Sequence, residues 1–382
     1  MGGSANAGSE GMAAADAGVP DSGVPAPRCG SNGSVCCAEA PRCEVGLGCD
    51  VGAALCTPCA AFQAVGIVEG YLSSTVNGIS GDGQIVVGQS EDGAGNTMAF
   101  RRAWATAEGP VPLGVLPGGV SSSAIAASYD GFAVVGVSGS ANGDRGFRWA
   151  SGSLVNLGTW TSGDLSSRAA DISADGNVVV LTSVAADNST LAYRWLLGGD
   201  TSPIIGMEEA RAVSADGNVL VGNRLGGTGN EPVITTPSGL SGLGALAGDS
   251  VAFARGLSAD GSTAVGVSGS CGCRGFRWRA GSLVSTEGLF RALGTSADGS
   301  IVVGDSVDTT CSGGKAAIWS AGPGKRAVAC DALPAGLIPN GWSLTIVTAV
   351  SDDGRVIAGE GINPALATEG WVAVLGPDCR AP

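Results

Sequence analysis

One ten-residue phrase limits what this chain can fold into. Val213-Ser214-Ala215-Asp216-Gly217-Asn218-Val219-Leu220-Val221-Gly222 leads an apolar step into a Ser-x-Asp-Gly corner, then an apolar run out of it that ends in Gly. The corner occurs seven times, with its aspartate at Asp82, Asp130, Asp175, Asp216, Asp260, Asp298 and Asp353. Successive aspartates lie 48, 45, 41, 44, 38 and 55 positions apart. A period in the forties with one hairpin signal per unit predicts a radial array of small sheets.

The unit around Asp175 shows the plan. Ala170-Asp171-Ile172 steps into the corner, residues 177–182 leave it as a second strand, and residues 185–189 form a polar loop. An aromatic third strand follows, Ala192-Tyr193-Arg194-Trp195, best formed elsewhere as Gly146-Phe147-Arg148-Trp149 and Gly275-Phe276-Arg277-Trp278. A period of two puts Phe and Trp on one face and Arg on the other. The fourth strand is clearest as Leu154-Val155-Asn156-Leu157-Gly158. Four strands in about 44 residues make one propeller blade. The second strands are unbroken apolar runs such as Ile85-Val86-Val87 and Ile301-Val302-Val303. Such runs belong where both sheet faces are covered, as between neighbouring blades. The ends complement each other: residues 62–70 repeat the fourth-strand phrase of residues 111–118, and Gly370-Trp371-Val372-Ala373-Val374-Leu375 is third-strand material. The expected fold is all-β: a seven-bladed β-propeller of four-stranded antiparallel blades with 3+1 closure, spanning 60–382, preceded by a small disulfide-rich module.

That module occupies residues 29–59 and follows a low-complexity tether at residues 1–28, which is too poor in large apolar side chains to order itself. Seven of the twelve cysteines fall between Cys29 and Cys59. Clustering at short spacing favours disulfides over zinc, since Cys56-x-x-Cys59 is the one metal-like pair and the chain has no His. Closure of the ring brings Cys59 and Cys379 to one end of adjacent strands and predicts a bridge between them, with Cys56 as the substitute for Cys59. Cys271, Cys273, Cys311 and Cys330 are then left for two bridges, Cys311–Cys330 being the preferred pair. The cysteines point to an oxidising compartment, while residues 1–28 lack the basic start and apolar core of a signal peptide. An extracellular or outer-surface protein is expected, either secreted or tethered as a lipoprotein. The net charge of −14 argues against a nucleic-acid partner. No apolar run is long enough for a transmembrane helix. A monomer is expected.

The unit Ser-x-Asp-Gly-x-x-Val-Val-Gly, Phe-Arg-Trp, Leu-Gly-x-Leu resembles the HAF family of bacterial extracellular repeat proteins over residues 62–375. The family's His-Ala-Phe triplet is replaced here by Met98-Ala99-Phe100, Arg145-Gly146-Phe147, Leu191-Ala192-Tyr193 and Arg274-Gly275-Phe276. The resemblance implies an extracellular repeat protein and no reaction. Residues 29–59 resemble the knottin-like cysteine modules near the N-termini of bacterial surface proteins.

Without His there is no Ser-His-Asp or Cys-His arrangement. The repeated aspartates read as structural turn residues, because Asp bonds its own backbone at a corner and seven equal copies are unlike a catalytic centre. Arg148, Arg194 and Arg277 recur at one blade position and read as residues that brace neighbouring blades or meet solvent, not as a catalytic cluster. Catalytic, cofactor-binding and metal residues are therefore none, with calcium left open because oxygen ligands are plentiful. The loops after the second strands carry Glu91, Asp92, Asp144, Asp187, Glu231, Asp308 and Glu360, which read as a solvated acidic rim. The expected function is non-enzymatic binding of a protein or polysaccharide partner through rim loops. The alternatives are a carboxylate-dependent polysaccharide hydrolase or lyase, and a structural component of the cell envelope.

Overall fold

The computed structural model of the chain describes residues 47–50, 55–58, 62–226, 229–269, 274–306, 314–321, 327–329 and 338–375. Seven four-stranded antiparallel sheets follow one another as blades, each laid against the next, with the seventh against the first. In blade 3, Ser166–Ile172, Val178–Val184, Thr190–Leu196 and Thr201–Pro203 pair in chain order from the axis outward. Blade 7 joins the two ends of the ring: Ser343–Val350, Val356–Ile362 and Thr368–Val374 are completed by Phe62–Ala64, with Phe62 opposite Ala373 and Ala64 opposite Trp371. The seven-bladed ring with 3+1 closure is thus the observed architecture. Of the N-terminal module only a strand pair is described, Leu47–Asp50 against Leu55–Pro58 with Cys49 opposite Cys56. The tether, the rest of the module and the predicted bridges of Cys59, Cys271, Cys273, Cys311, Cys330 and Cys379 lie outside the described residues.

The corner has the same bonds in every blade. In blade 4 the Ser214 Oγ donates to Asp216 Oδ1 at 2.5 Å, that oxygen accepts from the Asn218 N–H, and Ser214 Oγ accepts from the Val219 N–H. The Gly217 N–H closes the turn on the Ser214 carbonyl. The sequence places Asp-Gly in a tight hairpin with φ > 0; in the structure only the glycine takes positive φ, +74° at Gly217, and the aspartate does not. The loop is the longer kind, a β-turn followed by one left-handed residue, and the aspartate contributes through its side chain.

The corners are also bonded to each other. The residue between Ser and Asp, or the aspartate itself, donates its N–H to the next blade's x residue: Asp82 to Tyr129, Tyr129 to Ala174, Ala174 to Ala215, Ala215 to Ala259, Asp260 to Ala297, Ala297 to Asp352 and Asp352 to Gly81. Seven backbone bonds of 2.8–3.1 Å form a closed belt through all seven blades. Arginines of the third strands reinforce it. Arg101, Arg148 and Arg277 donate Nε to the corner carbonyls of Gly131, Gly176 and Gly299 in the following blade. Arg194 holds the same strand position in blade 3.

Packing between blades is apolar. The third strands bury Phe100, Phe147, Tyr193, Phe276 and Trp371 completely, against second-strand residues such as Val86, Val134 and Val179. The Gly of Val-Val-Gly answers a close approach: a Cβ on Gly222 would lie 2.1 Å from the Glu209 carbonyl of the first strand.

Two predictions follow from the corner. Gly217→Val forces a β-branched residue into positive φ and drives a Cβ to 2.6 Å from Val178 Cγ2. Its expected cost in urea unfolding is roughly 2–4 kcal/mol, against about 1 kcal/mol for Asp216→Ala, which loses hydrogen bonds only. The Ser214 hydroxyl, then the Asn218 amides, hold the Asp216 carboxyl below the usual carboxylate range. A depressed pKa stabilises the fold above the unfolded value and loses that effect as pH falls through the folded one. The wild type's margin over Asp216→Ala therefore narrows below about pH 4; urea midpoints measured down the pH scale check this.

Candidate binding channel

Every first strand slips register against its second strand three residues before the corner serine, and blade 7 slips a second time at Thr345. The skipped residues are Asn77, Ile125, Ala170, Arg211, Arg255, Leu293 and Thr348. A bulge re-aims a side chain, and all seven line one axial cavity of about 800 Å³. At one end the cavity reaches the belt, where Gly81, Tyr129, Ala174, Ala215, Ala259 and Asp352 line it. Seven backbones spaced like neighbouring strands, at about 4.8 Å, enclose a ring of only about 5 Å radius, so this end is constricted. At the other end the wall includes Asp144, Ser166, Val184, Thr190, Glu208 and Asn230, near the loops that enter the first strands.

The belt is the same in each blade and the bulge row is not. Two of its polar members are occupied in holding the ring: Asn77 donates Nδ2 to the Ala124 carbonyl of blade 2, and Thr348 donates Oγ1 to the Val76 carbonyl of blade 1. The position after the bulge is Gly or Ala in every blade but the third, where it is Asp171. Asp171 Oδ2 accepts from the Val213 N–H of blade 4 at 2.9 Å, and Oδ1 accepts from the Ile172 N–H. It is half-buried by contact with water, yet the ring surrounds it on every side. Channel water wets its surface without supplying bulk solvation, and burial pushes its carboxyl up to about 7.

Blades 3 to 6 bring charge to the axis. Arg211 is paired with Glu209 at 2.5 Å, and Glu209 also accepts from Asn223 Nδ2. Asn223 Oδ1 accepts the Ala254 N–H of blade 5, which fixes Glu209 across the blade junction. Arg255 stands 6.0 Å over the Phe253 ring. Arg168, two residues before the blade 3 bulge, is open to channel water while enclosed by the ring. Burial first, and the charge of Arg211 second, lower the pKa of both Arg168 and Arg255. Arg291 is closed off by a bidentate pair with the buried Asp305, at 3.0 and 2.7 Å.

The residues singled out in the sequence go elsewhere. The corner aspartates sit at the belt end, bonded within their turns. The loop acids do not converge: Asp92 bonds its own loop, Glu231 pairs with Arg224, Glu360 faces Arg291 from burial, and only Asp144 lines the cavity. Asp308 lies outside the described residues. Among the described residues no group of three or more His, Cys, Asp or Glu could hold a metal ion. The channel arginines went unread in the sequence, although a signal exists. Aligned on the corner serines, the column three before reads Asn, Ile, Ala, Arg, Arg, Leu, Thr, while the column beyond it holds Val or Ala in all seven units.

No protein-family model matches the sequence, and no curated protein matches it. Solved structures do. Oligogalacturonate lyase from Vibrio parahaemolyticus is 10% identical over 87% of this chain and 97% of that one, with a TM-score of 0.55. The β-propeller domain of the Trilobed protease from Pyrococcus furiosus, described as having an open velcro topology, is 9% identical over 79% and 93%, TM-score 0.52. A puromycin-hydrolyzing peptidase of Mycobacterium tuberculosis is 13% identical over 81% of this chain, TM-score 0.50. This chain spans about half of that peptidase (52%), and of TolB from Acinetobacter baumannii (53%; 19% identical over 58% of this chain, TM-score 0.39). At these identities the likeness is one of fold. It nevertheless corrects the expectation that the chain is not an enzyme. Propellers of this fold belong to a lyase, a protease and a peptidase, so the missing His-based triad does not take the chain out of that class.

The raised carboxyl gives the third prediction. A folded pKa above the unfolded value makes Asp171 a source of stability that is greatest in acid and is lost as pH rises from about 4 to about 7. The margin of the wild type over Asp171→Ala in thermal melts is expected to shrink across that interval and to stay level above it. This is opposite in sign to the corner variant.

Proposed function

We propose that this protein is a secreted or surface-held propeller that takes the end of a polysaccharide chain into its axial channel. The observation that carries the reading is the break in symmetry. The fold needs the belt in every blade, and there the blades agree; the side chains aimed down the axis differ from blade to blade. The cavity of about 800 Å³ is the size of a small-ligand site. Its constricted end suits a single extended chain rather than the surface of a folded partner. Around the mouth, the loops entering blades 1, 2 and 3 carry Leu72, Val120 and Leu165, which are 64%, 74% and 51% exposed. They offer a long ligand apolar surface to cross. A place outside the cell is supported by the cysteine spacing and by the resemblance of the repeat to HAF proteins.

A glycan array probed with the whole chain tests this, beside Ala170→Trp, which puts an indole into the channel from the bulge of blade 3. The wild type is expected to retain a set of glycans that the variant loses by at least about tenfold, or 1.4 kcal/mol, with little change in melting temperature. Equal binding by the two would count against the channel. Loss with Leu165→Asp but not with Ala170→Trp would move the site to the rim loops.

A further inference from the structure

Resting on the channel reading, we propose that the ligand is an acidic oligosaccharide whose carboxylates are held by Arg168, Arg211 and Arg255. Three neighbouring blades send a guanidinium to the same cavity, and only Arg211 has a carboxylate of its own. Among the described residues neither Arg168 nor Arg255 makes a hydrogen bond or an ion pair. The Nε atoms of Arg211 and Arg255 are buried with no partner at all. Arg168 and Arg255 line the cavity, so an entering acceptor meets guanidinium N–H groups that the ring leaves unbonded.

The frame does not require these cations. The bulge position that holds Arg211 and Arg255 is filled by Ala170 in blade 3 and by Leu293 in blade 6, with the same register slip. Keeping cations there costs desolvation and mutual repulsion, both of which an entering anion relieves. Arg291 serves as an internal control: where the ring needs an arginine neutralised, it supplies Asp305 in bidentate geometry.

Guanidinium matches the planar, two-oxygen edge of a carboxylate. The cations stand at two levels. Arg168 precedes its bulge by two residues, so at about 3.3 Å per residue it lies about 6–7 Å nearer the mouth than the row of Arg211 and Arg255. A ligand with one charged end reaches one level; a chain that repeats its charge reaches both. A uronic acid carries its carboxylate on a rigid ring, whereas an acidic peptide must immobilise a rotatable stem for each one. Tyr129, half exposed and lining the belt end, offers a ring face to the apolar side of a sugar.

Isothermal titration of the whole chain with tetragalacturonate, maltotetraose, tetraglutamate and inorganic phosphate tests this, with Arg168→Gln, Arg255→Gln and Ala170→Trp as variants. Tetragalacturonate is expected to bind the wild type at least about tenfold more tightly than the other three, and each Gln variant to weaken it by about tenfold or more. Should a Gln variant fail to fold, phenylglyoxal labelling of the wild type replaces it, with tetragalacturonate expected to protect Arg168 and Arg255. Equal binding of maltotetraose, tighter binding of tetraglutamate or phosphate, unchanged affinity in both Gln variants, or no protection would overturn the proposal. If maltotetraose binds, is blocked by Ala170→Trp and ignores the Gln variants, the channel stands and the acidic ligand falls. If tetragalacturonate binds Ala170→Trp as it binds the wild type, the channel itself falls.

Discussion

The structure depends on a circle of seven backbone hydrogen bonds. Each corner is stiffened from within by a serine, an aspartate and a left-handed glycine, and it then presents an N–H and a C=O to its two neighbours. An isolated four-stranded blade would leave the apolar runs of its second strand facing water on both sides. Stacking covers those faces, but stacking alone is non-directional and does not fix how many blades make a ring. The belt supplies direction. Its last bond, Asp352 to Gly81, joins residues 271 positions apart in sequence and is indistinguishable in length from the other six. A complete circle of equal bonds leaves no strained junction for the 3+1 blade to bridge.

A stiff belt has a consequence one turn further along each first strand. The strand leaves the corner, slips register at the bulge, and brings a backbone carbonyl so close to the second strand that glycine stands opposite it in six blades, Gly222 beneath Glu209 among them; blade 3 has Leu181. The bulge residue is thereby freed from the sheet and turned to the axis. Seven side chains are placed at one height by a device that asks nothing of their chemistry. The fold thus separates the positions that make the ring from the positions that line it.

That separation explains what could be read from the sequence. The corners and the complementary ends announce themselves because identical physics repeats in each blade, and the aromatic third strands because it repeats in most of them. Asp216 and Gly217 look like their six counterparts because they do the same job. The channel gives no such repetition. Arg211 and Arg255 sit in Glu-Ala-Arg-Ala-Val and Phe-Ala-Arg-Gly-Leu, where alternation assigns them to the solvated face of a strand. Only the register slip turns them into the ring, and its trace, the glycine opposite it in six blades, reads equally as the end of an apolar run. The acids after the second strands read as a solvated rim, and they form no cluster. They share one rim in the topology, but Asp92, Glu231 and Glu360 are each absorbed by a local bond or a neighbouring arginine, so nearness in topology did not become a shared site.

The same seven blades offer a test of necessity within one molecule. Where an ionised group serves the ring, the structure answers it: Asp305 forks onto Arg291, Glu209 meets Arg211 and Asn223, and Asp171 takes two backbone amides. Where it does not, the position tolerates Ala170 or Leu293 without disturbing the bulge. Arg168 and Arg255 fit neither case. Neither has an ion pair of its own, although Glu209 acts on both and Asp144 on Arg168, and in a chain whose net charge is −14 they do not come from a general surplus of positive charge. A Debye length of about 8 Å at physiological ionic strength confines the influence of that exterior, and what the channel holds is decided by contact. The ring is already closed by backbone bonds and apolar faces, and two guanidiniums without an ion pair of their own fit the anion that the channel is proposed to take.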